Sequence, residues 1–220
     1  MLASGTAGLV LAGGRGTRLG RSEKPLTPFG GGTLLDMVVA IVRQQVETLA
    51  VAVKEDQVAC YRRAIPEAID VVADPLLHAI GPINGLLGGI IWAAKLKPRF
   101  GWLATFPADT PFLPIDLVLR LQAVAERTAA HPVVAHDPAG RQNLCALWPL
   151  ALEPALRRGI ESGRFASVGD ALDIFGALSV PFECGDAFLN VNTHADLAQA
   201  RSRLAMREAR SQDGIVSCHT

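Results

Sequence analysis

Leu9-Val10-Leu11-Ala12-Gly13-Gly14-Arg15-Gly16-Thr17-Arg18-Leu19-Gly20-Arg21-Ser22-Glu23-Lys24 passes abruptly from an apolar run to glycine and then to cations. The apolar part reads as a buried strand over residues 7–12. The part that follows has the composition of a phosphate cradle. Glycine lets backbone N–H groups approach phosphate oxygens, and arginine and lysine neutralise the charge. Two familiar phosphate motifs are excluded by spacing. Walker A needs G-x-x-x-x-G-K-[ST], and here Lys24 follows Glu23. The dinucleotide fingerprint G-x-G-x-x-G fits Gly14 and Gly16 but then meets Leu19. The loop is of another kind.

Outward from this loop, apolar stretches alternate with segments of helical periodicity. Residues 33–48 carry Leu34, Leu35, Val38, Val39, Ile41, Val42 and Val46, with Thr33 as N-cap and Asp36 in the first turn. Strands are predicted over 49–53, 69–73 and 102–106, and helices over 56–64, 82–97 and 115–130. The alternation implies βαβ units, hence a mostly parallel sheet with helices on both faces. Later in the chain, 132–136 and 143–148 read as strands joined by the turn Asp137-Pro138-Ala139-Gly140, and therefore antiparallel. Helices over 150–162 and up to 172 follow, then an edge strand over 178–182. A last helix from Ala195 to about residue 207 is capped by Thr193. The polar, aperiodic residues 208–220 are expected to be a disordered tail on a single domain of 1–207.

Composition narrows the function. Of 220 residues, half are hydrophobic and 19% charged, which suits a globular core. Basic and acidic residues balance at 21 each, so a general nucleic-acid role is not expected. No apolar run reaches the ~18 residues of a membrane span, and Met1 to Gly8 lack a charged n-region. Cys60, Cys145, Cys184 and Cys218 form no C-x-x-C pair, and the histidines are scattered, so reduced thiols in a cytoplasmic protein are expected and no zinc site.

Three further segments carry candidate chemistry. Asp74-Pro75 leaves the third strand and leads into Gly81-Pro82-Ile83-Asn84-Gly85-Leu86-Leu87-Gly88-Gly89. Glycines there cost a helix ~1 kcal/mol each, which points to close approach, either of a ligand or of the sheet. The fourth strand runs into Pro107-Ala108-Asp109-Thr110-Pro111. This places Asp109 at the carboxyl end of a central strand, where open α/β sheets bind ligands and where a carboxylate can hold Mg²⁺. In Asn190-Val191-Asn192 the two amides lie two residues apart and face one side of an extended segment.

In order along the chain, residues 11–24, 74–89, 106–114 and 190–197 resemble the molybdenum cofactor guanylyltransferase (MobA) family, within the nucleotidyltransferases of GT-A-like, three-layer Rossmann-like α/β fold. The resemblance implies transfer of GMP from GTP to Mo-molybdopterin, with Mg²⁺ and release of pyrophosphate. It also implies residue roles. Leu11, Ala12, Gly13 and Gly14 form the nucleotide-binding turn. Arg18 and Lys24 bind phosphates, and Asp74 contacts the nucleotide. Asp109 holds the metal, and Asn190 and Asn192 lie by the molybdopterin. Arg18, Lys24 and Asp109 are then the catalytic set. A monomer is expected, making transient contact with a molybdenum insertase or target molybdoenzymes. The chain departs from the family pattern at Pro25, at Ala52-Val53-Lys54 and at Gln142-Asn143-Leu144. The alternatives are a cytidylyltransferase for the same pterin, a sugar-1-phosphate nucleotidyltransferase, and a non-catalytic molybdopterin-binding module.

Overall fold

In the computed structural model, β1 (Thr6–Leu11) is buried along its whole length, because it sits inside the sheet with a neighbour on either side. The structure describes residues 3–13, 24–76, 81–96, 100–128, 130–183 and 186–216, with side chains described up to 209. Gly14, Arg15, Arg18 and Arg21 lie outside these residues.

After β1 the described chain resumes at Lys24. It forms a small hairpin, β2 (Pro28–Phe29) and β3 (Gly32–Thr33), and enters α1 (Leu34–Val42). Thr33 caps α1 as expected. Its hydroxyl accepts from the Asp36 N–H at 3.1 Å while the Asp36 carboxylate accepts from the Thr33 N–H at 2.8 Å. Then come β4 (Thr48–Val53), α2 (Val58–Ala64), β5 (Asp70–Ala73), α3 (Pro82–Lys95) and β6 (Trp102–Pro107). The chain continues through α4 (Leu117–Ala125), β7 (Val133–Asp137), β8 (Gly140–Pro149), α5 (Glu153–Glu161), α6 (Val168–Ile174), β9 (Leu178–Pro181) and α7 (His194–Val216).

The seven-stranded sheet has the order β5-β4-β1-β6-β8-β7-β9. The β1–β4, β1–β6, β4–β5 and β7–β9 pairs are parallel, and β8 runs antiparallel to both of its neighbours. Side-chain alternation splits the core in two. Val10, Val51 and Phe106 pack with α1, α2 and α4 on one face. Leu9, Leu103 and Trp148 pack with α3, α5 and α6 on the other. The fold is therefore three-layer α/β, as the alternation of elements implied.

Several elements differ from expectation: α1 and α4 end at Val42 and Ala125, six and five residues before their predicted limits, and three others depart further in kind. The β2–β3 hairpin was not foreseen, because two-residue strands leave no periodicity to detect. Strand β8 begins at Gly140, three residues before the predicted start, so Gly140, expected in the turn, and Arg141 and Gln142, assigned to no element, all belong to the strand. Asp137 Oδ1 makes the early start possible by accepting from the Ala139 and Gly140 N–H groups and from Gln142 Nε2, while Gly140 takes φ of +128°. Helix α7 runs past residue 207 to Val216, since Glu208, Ala209 and Arg210 are good helix formers. Among the described residues, no helix is long and apolar enough to cross a membrane.

Candidate active site

Chain direction at the sheet centre creates the crevice. From β1 the chain moves outward to β4 and β5, then returns to β6 on the other side of β1. Such a switch point opens a gap beyond the carboxyl ends of the strands. The strand exits are knitted together there. The Ala12 N–H donates to Ala52 O at 2.9 Å, the Asp74 N–H to Val53 O at 3.0 Å and the Ala108 N–H to Leu11 O at 3.3 Å. Ala12 therefore has its amide committed within the sheet and its side chain in the core below, whereas Gly13 lines the crevice.

Two clefts meet over this gap. The first, about 180 Å³, is lined by Leu11, Gly13, Ala52, Asp74, Gly85 and Asp109, among others. The second, about 240 Å³, is bounded by Arg141, Gln142, Asn143, Asn190 and Asn192, and again by Asp109. Pro107, Asp109 and Leu144 belong to both, so the end of β6 is the point where two ligands would touch.

Lys24 sits at that junction, only 8% exposed, with Nζ 2.6 Å from Asp109 Oδ2 and 2.7 Å from Asn192 Oδ1. A buried ammonium needs such partners, since an unpaired one costs several kcal/mol. The contact joins residues 24, 109 and 192, which are far apart in sequence. Asp109 is anchored in turn. Its carbonyl accepts from the Val191 N–H at 2.9 Å, and Thr110 Oγ1 donates to Asn190 Oδ1 at 2.5 Å. Val191 points away into a small core with Phe29, Phe112 and Leu197, so Asn190 and Asn192 face the cleft, as their spacing requires. The Asp196 carboxylate accepts from the Asn192 and Thr193 N–H groups at 2.9 and 2.8 Å, and these bonds hold its carboxyl below the usual range.

Asp74 stands at the far end of the first cleft. Burial raises its carboxyl to about 6, and the Lys54 charge offsets only part of that. The glycines of α3 divide between the two expected uses. Gly81 and Gly85 line the first cleft, and Gly81 takes φ of +95°. Gly88 and Gly89 serve helix–sheet packing. A Cβ on Gly89 would lie 2.2 Å from Leu9 Cδ2, and one on Gly88 3.0 Å from Ala73 O.

Sequence reasoning missed Thr110, Arg141 and Cys145 as parts of the site. Thr110 follows Asp109 directly and could have been found as a hydroxyl facing the amide pair. Arg141 was hidden by the late predicted start of β8. Cys145 lines the second cleft, where burial, with the charges of Asp109 and Asp137, pushes its thiol well above the usual range.

Residues 8–173 match the MobA-like NTP transferase domain. The chain belongs to that family. Among curated MobA-like relatives, the molybdenum cofactor guanylyltransferase of Rhodopseudomonas palustris strain HaA2 is 38% identical over 91% of this chain and 92% of its own length. The enzyme of the same name from Mesorhizobium japonicum is 37% identical over 88% and 93%. Among solved structures, the molybdopterin-guanine dinucleotide biosynthesis protein A of Archaeoglobus fulgidus superposes with a TM-score of 0.73 at 20% identity, covering 91% of this chain and 99% of that one. A Mycobacterium tuberculosis protein solved as a manganese complex gives 0.66 at 18% identity, covering 91% and 99%. Both share the MobA-like fold.

Proposed function

We propose that the chain transfers GMP from GTP to Mo-molybdopterin, giving Mo-molybdopterin guanine dinucleotide and pyrophosphate. The observation that supports this best is the Asp109–Lys24–Asn192 cluster at the junction of two clefts, in a chain whose relatives bear that activity by name. GTP takes the first cleft, with Leu11, Gly13 and Asp74 along it. The family resemblance adds Gly14 to the nucleotide-binding residues and Arg18 to the cations for the phosphates. The acceptor takes the second, against Asn190 and Asn192.

A terminal phosphate oxygen of molybdopterin forms a bond to the α-phosphorus of GTP. The bond from that phosphorus to the oxygen bridging to the β-phosphorus breaks, and pyrophosphate leaves with the electron pair. The attacking phosphate is already ionised at neutral pH, so the protein supplies alignment and charge neutralisation more than proton transfer. Lys24 is held ready for this by Asp109 and Asn192. Being buried, it acts in a medium where one charge has large effect. Lys24 and Arg18 receive the charge that builds on the leaving group.

Asp109 suits a hard divalent cation, which we assign as Mg²⁺. Oδ2 is taken by Lys24, but Oδ1 has only a 3.4 Å contact from Thr110. No group of three or more metal-ligating side chains occurs among the described residues. One carboxylate with substrate phosphates is a usual Mg²⁺ arrangement. When bound, the cation adds charge neutralisation at the phosphates. One chain builds both clefts, which favours a working monomer. It acts in the cytoplasm and hands its product on by transient contact with an insertase or target molybdoenzymes.

The test is pyrophosphate release with Mo-molybdopterin and Mg²⁺, from GTP and from CTP, for wild type and Asp109→Ala. Release with GTP, falling about 100-fold or more in the variant, is expected. Preference for CTP would move the chain to cytidylyl transfer, and no release with either nucleotide would overturn the reaction.

A further inference from the structure

Arg141 and Asn143, two apart on β8, touch through their side chains, and both line the second cleft. The guanidinium is held on three of its nitrogens. Nε donates to Asn143 Oδ1 at 2.6 Å, Nη1 to Asp173 Oδ1 at 2.5 Å, and Nη2 to Gly169 O at 3.4 Å. The absence of a side chain at Gly169 leaves room for this arrangement. A Cβ there would lie 3.1 Å from Asn143 Nδ2 and 3.7 Å from Arg141 Nη2.

Stability does not account for such a buttress. Asp173 keeps 64% of its side chain exposed, and surface ion pairs contribute little. The effect of the buttress is to fix the rotamer of an arginine on a cleft wall. A guanidinium has five N–H donors, and three are committed here, so two remain for a ligand. Arg141 is also the only cationic residue among the described residues lining this cleft. A fixed fork with two free donors matches a phosphate monoester better than a flexible ammonium does.

We propose that Arg141 is a specificity-determining residue that binds the phosphate monoester of the acceptor substrate, and that Asp173 and Asn143 are its positioning residues. The inference rests on the guanylyltransferase reading and adds to it a residue selecting the second substrate.

Steady-state kinetics with GTP and Mo-molybdopterin varied in turn test it, on wild type, Arg141→Ala, Arg141→Lys and Asp173→Asn. Loss of one charge-assisted contact should raise KM for Mo-molybdopterin by about ten-fold or more in Arg141→Ala. KM for GTP should stay within about two-fold, because Arg141 does not line the first cleft. Arg141→Lys should recover part of the loss. Asp173→Asn, at an exposed position where folding is not at risk, should raise the same KM a few-fold. An unchanged KM for Mo-molybdopterin in Arg141→Ala, or an equal rise for both substrates, would overturn the assignment. Wild-type protein that makes no dinucleotide would remove the parent function, and this inference with it.

Discussion

At the far end of the first cleft, burial raises the Asp74 carboxyl to about 6. Its value in the unfolded chain is about 3.9, so the folded state binds this proton more tightly. By linkage, the favourable contribution is full below about 3.9 and is lost as pH rises through 6. At neutral pH and above, the ionised Asp74 is a burden on the fold. Asp74→Asn should therefore raise the melting temperature at pH 8, and the gain should shrink as pH falls through 6 towards 4. It should also weaken GTP binding, if this carboxylate touches the nucleotide as proposed. Melting curves at pH 8 and pH 5 with a GTP titration decide both points. An equal gain at the two pH values would mean that burial does not disfavour the charge. Asp74, Asp109 and the Asn190–Asn192 pair were legible in sequence because each stands at the end of an apolar strand or on one side of an extended segment. Lys24 was legible as a cation but not as the partner of Asp109, since nothing local links positions 24, 109 and 192.

Among elements, α3 shows best where reading stops. Its glycines announce a close approach, but sequence cannot say to what. The structure puts Gly89 against Leu9 of β1, the strand that delivers Gly13 to the crevice. Gly89→Ala must push α3 off the sheet or displace Leu9, and overpacking of this kind costs about 1–3 kcal/mol. A Cβ on Gly31, by contrast, would have nothing within 4 Å, so Gly31→Ala should change stability by no more than about 0.5 kcal/mol. Urea unfolding of the two variants provides the comparison. A Gly89→Ala protein as stable as wild type would show that the helix yields freely. The capping box of α1 was legible because Thr33 and Asp36 signal it locally. The start of β8 was not, because it depends on Asp137 closing the hairpin from the opposite strand.

For the whole molecule, strand order was the part that no local pattern could supply. Alternating strands and helices imply a parallel sheet, but only tertiary packing decides that β6 returns beside β1 and that the last helix comes back over the start of the chain. That return produces a third, small core of Phe29, Leu34, Phe112, Val191, Leu197 and Ala200, separate from the two faces of the sheet. Arg201 Nη2 donates to Pro28 O at 2.9 Å, and the Arg207 guanidinium lies 4.6 Å from the Phe112 ring centre. This small core ties together α7, the loop after Asp109 and the segment bearing Asn190 and Asn192. Being small, it should open more readily than the sheet. Leu197, 7% exposed, and Ala200 are the buried residues that α7 contributes to it. Leu197→Ala removes about 2–4 kcal/mol of packing from a unit that holds the site but not the sheet. The expected result is faster amide exchange in α7, unchanged exchange in β1, β4 and β6, and lower turnover, because Asn192 is no longer held against Lys24. If exchange rises equally in the sheet, the third core is part of one cooperative unit. If α7 opens and turnover is unaffected, Lys24 does not need Asn192.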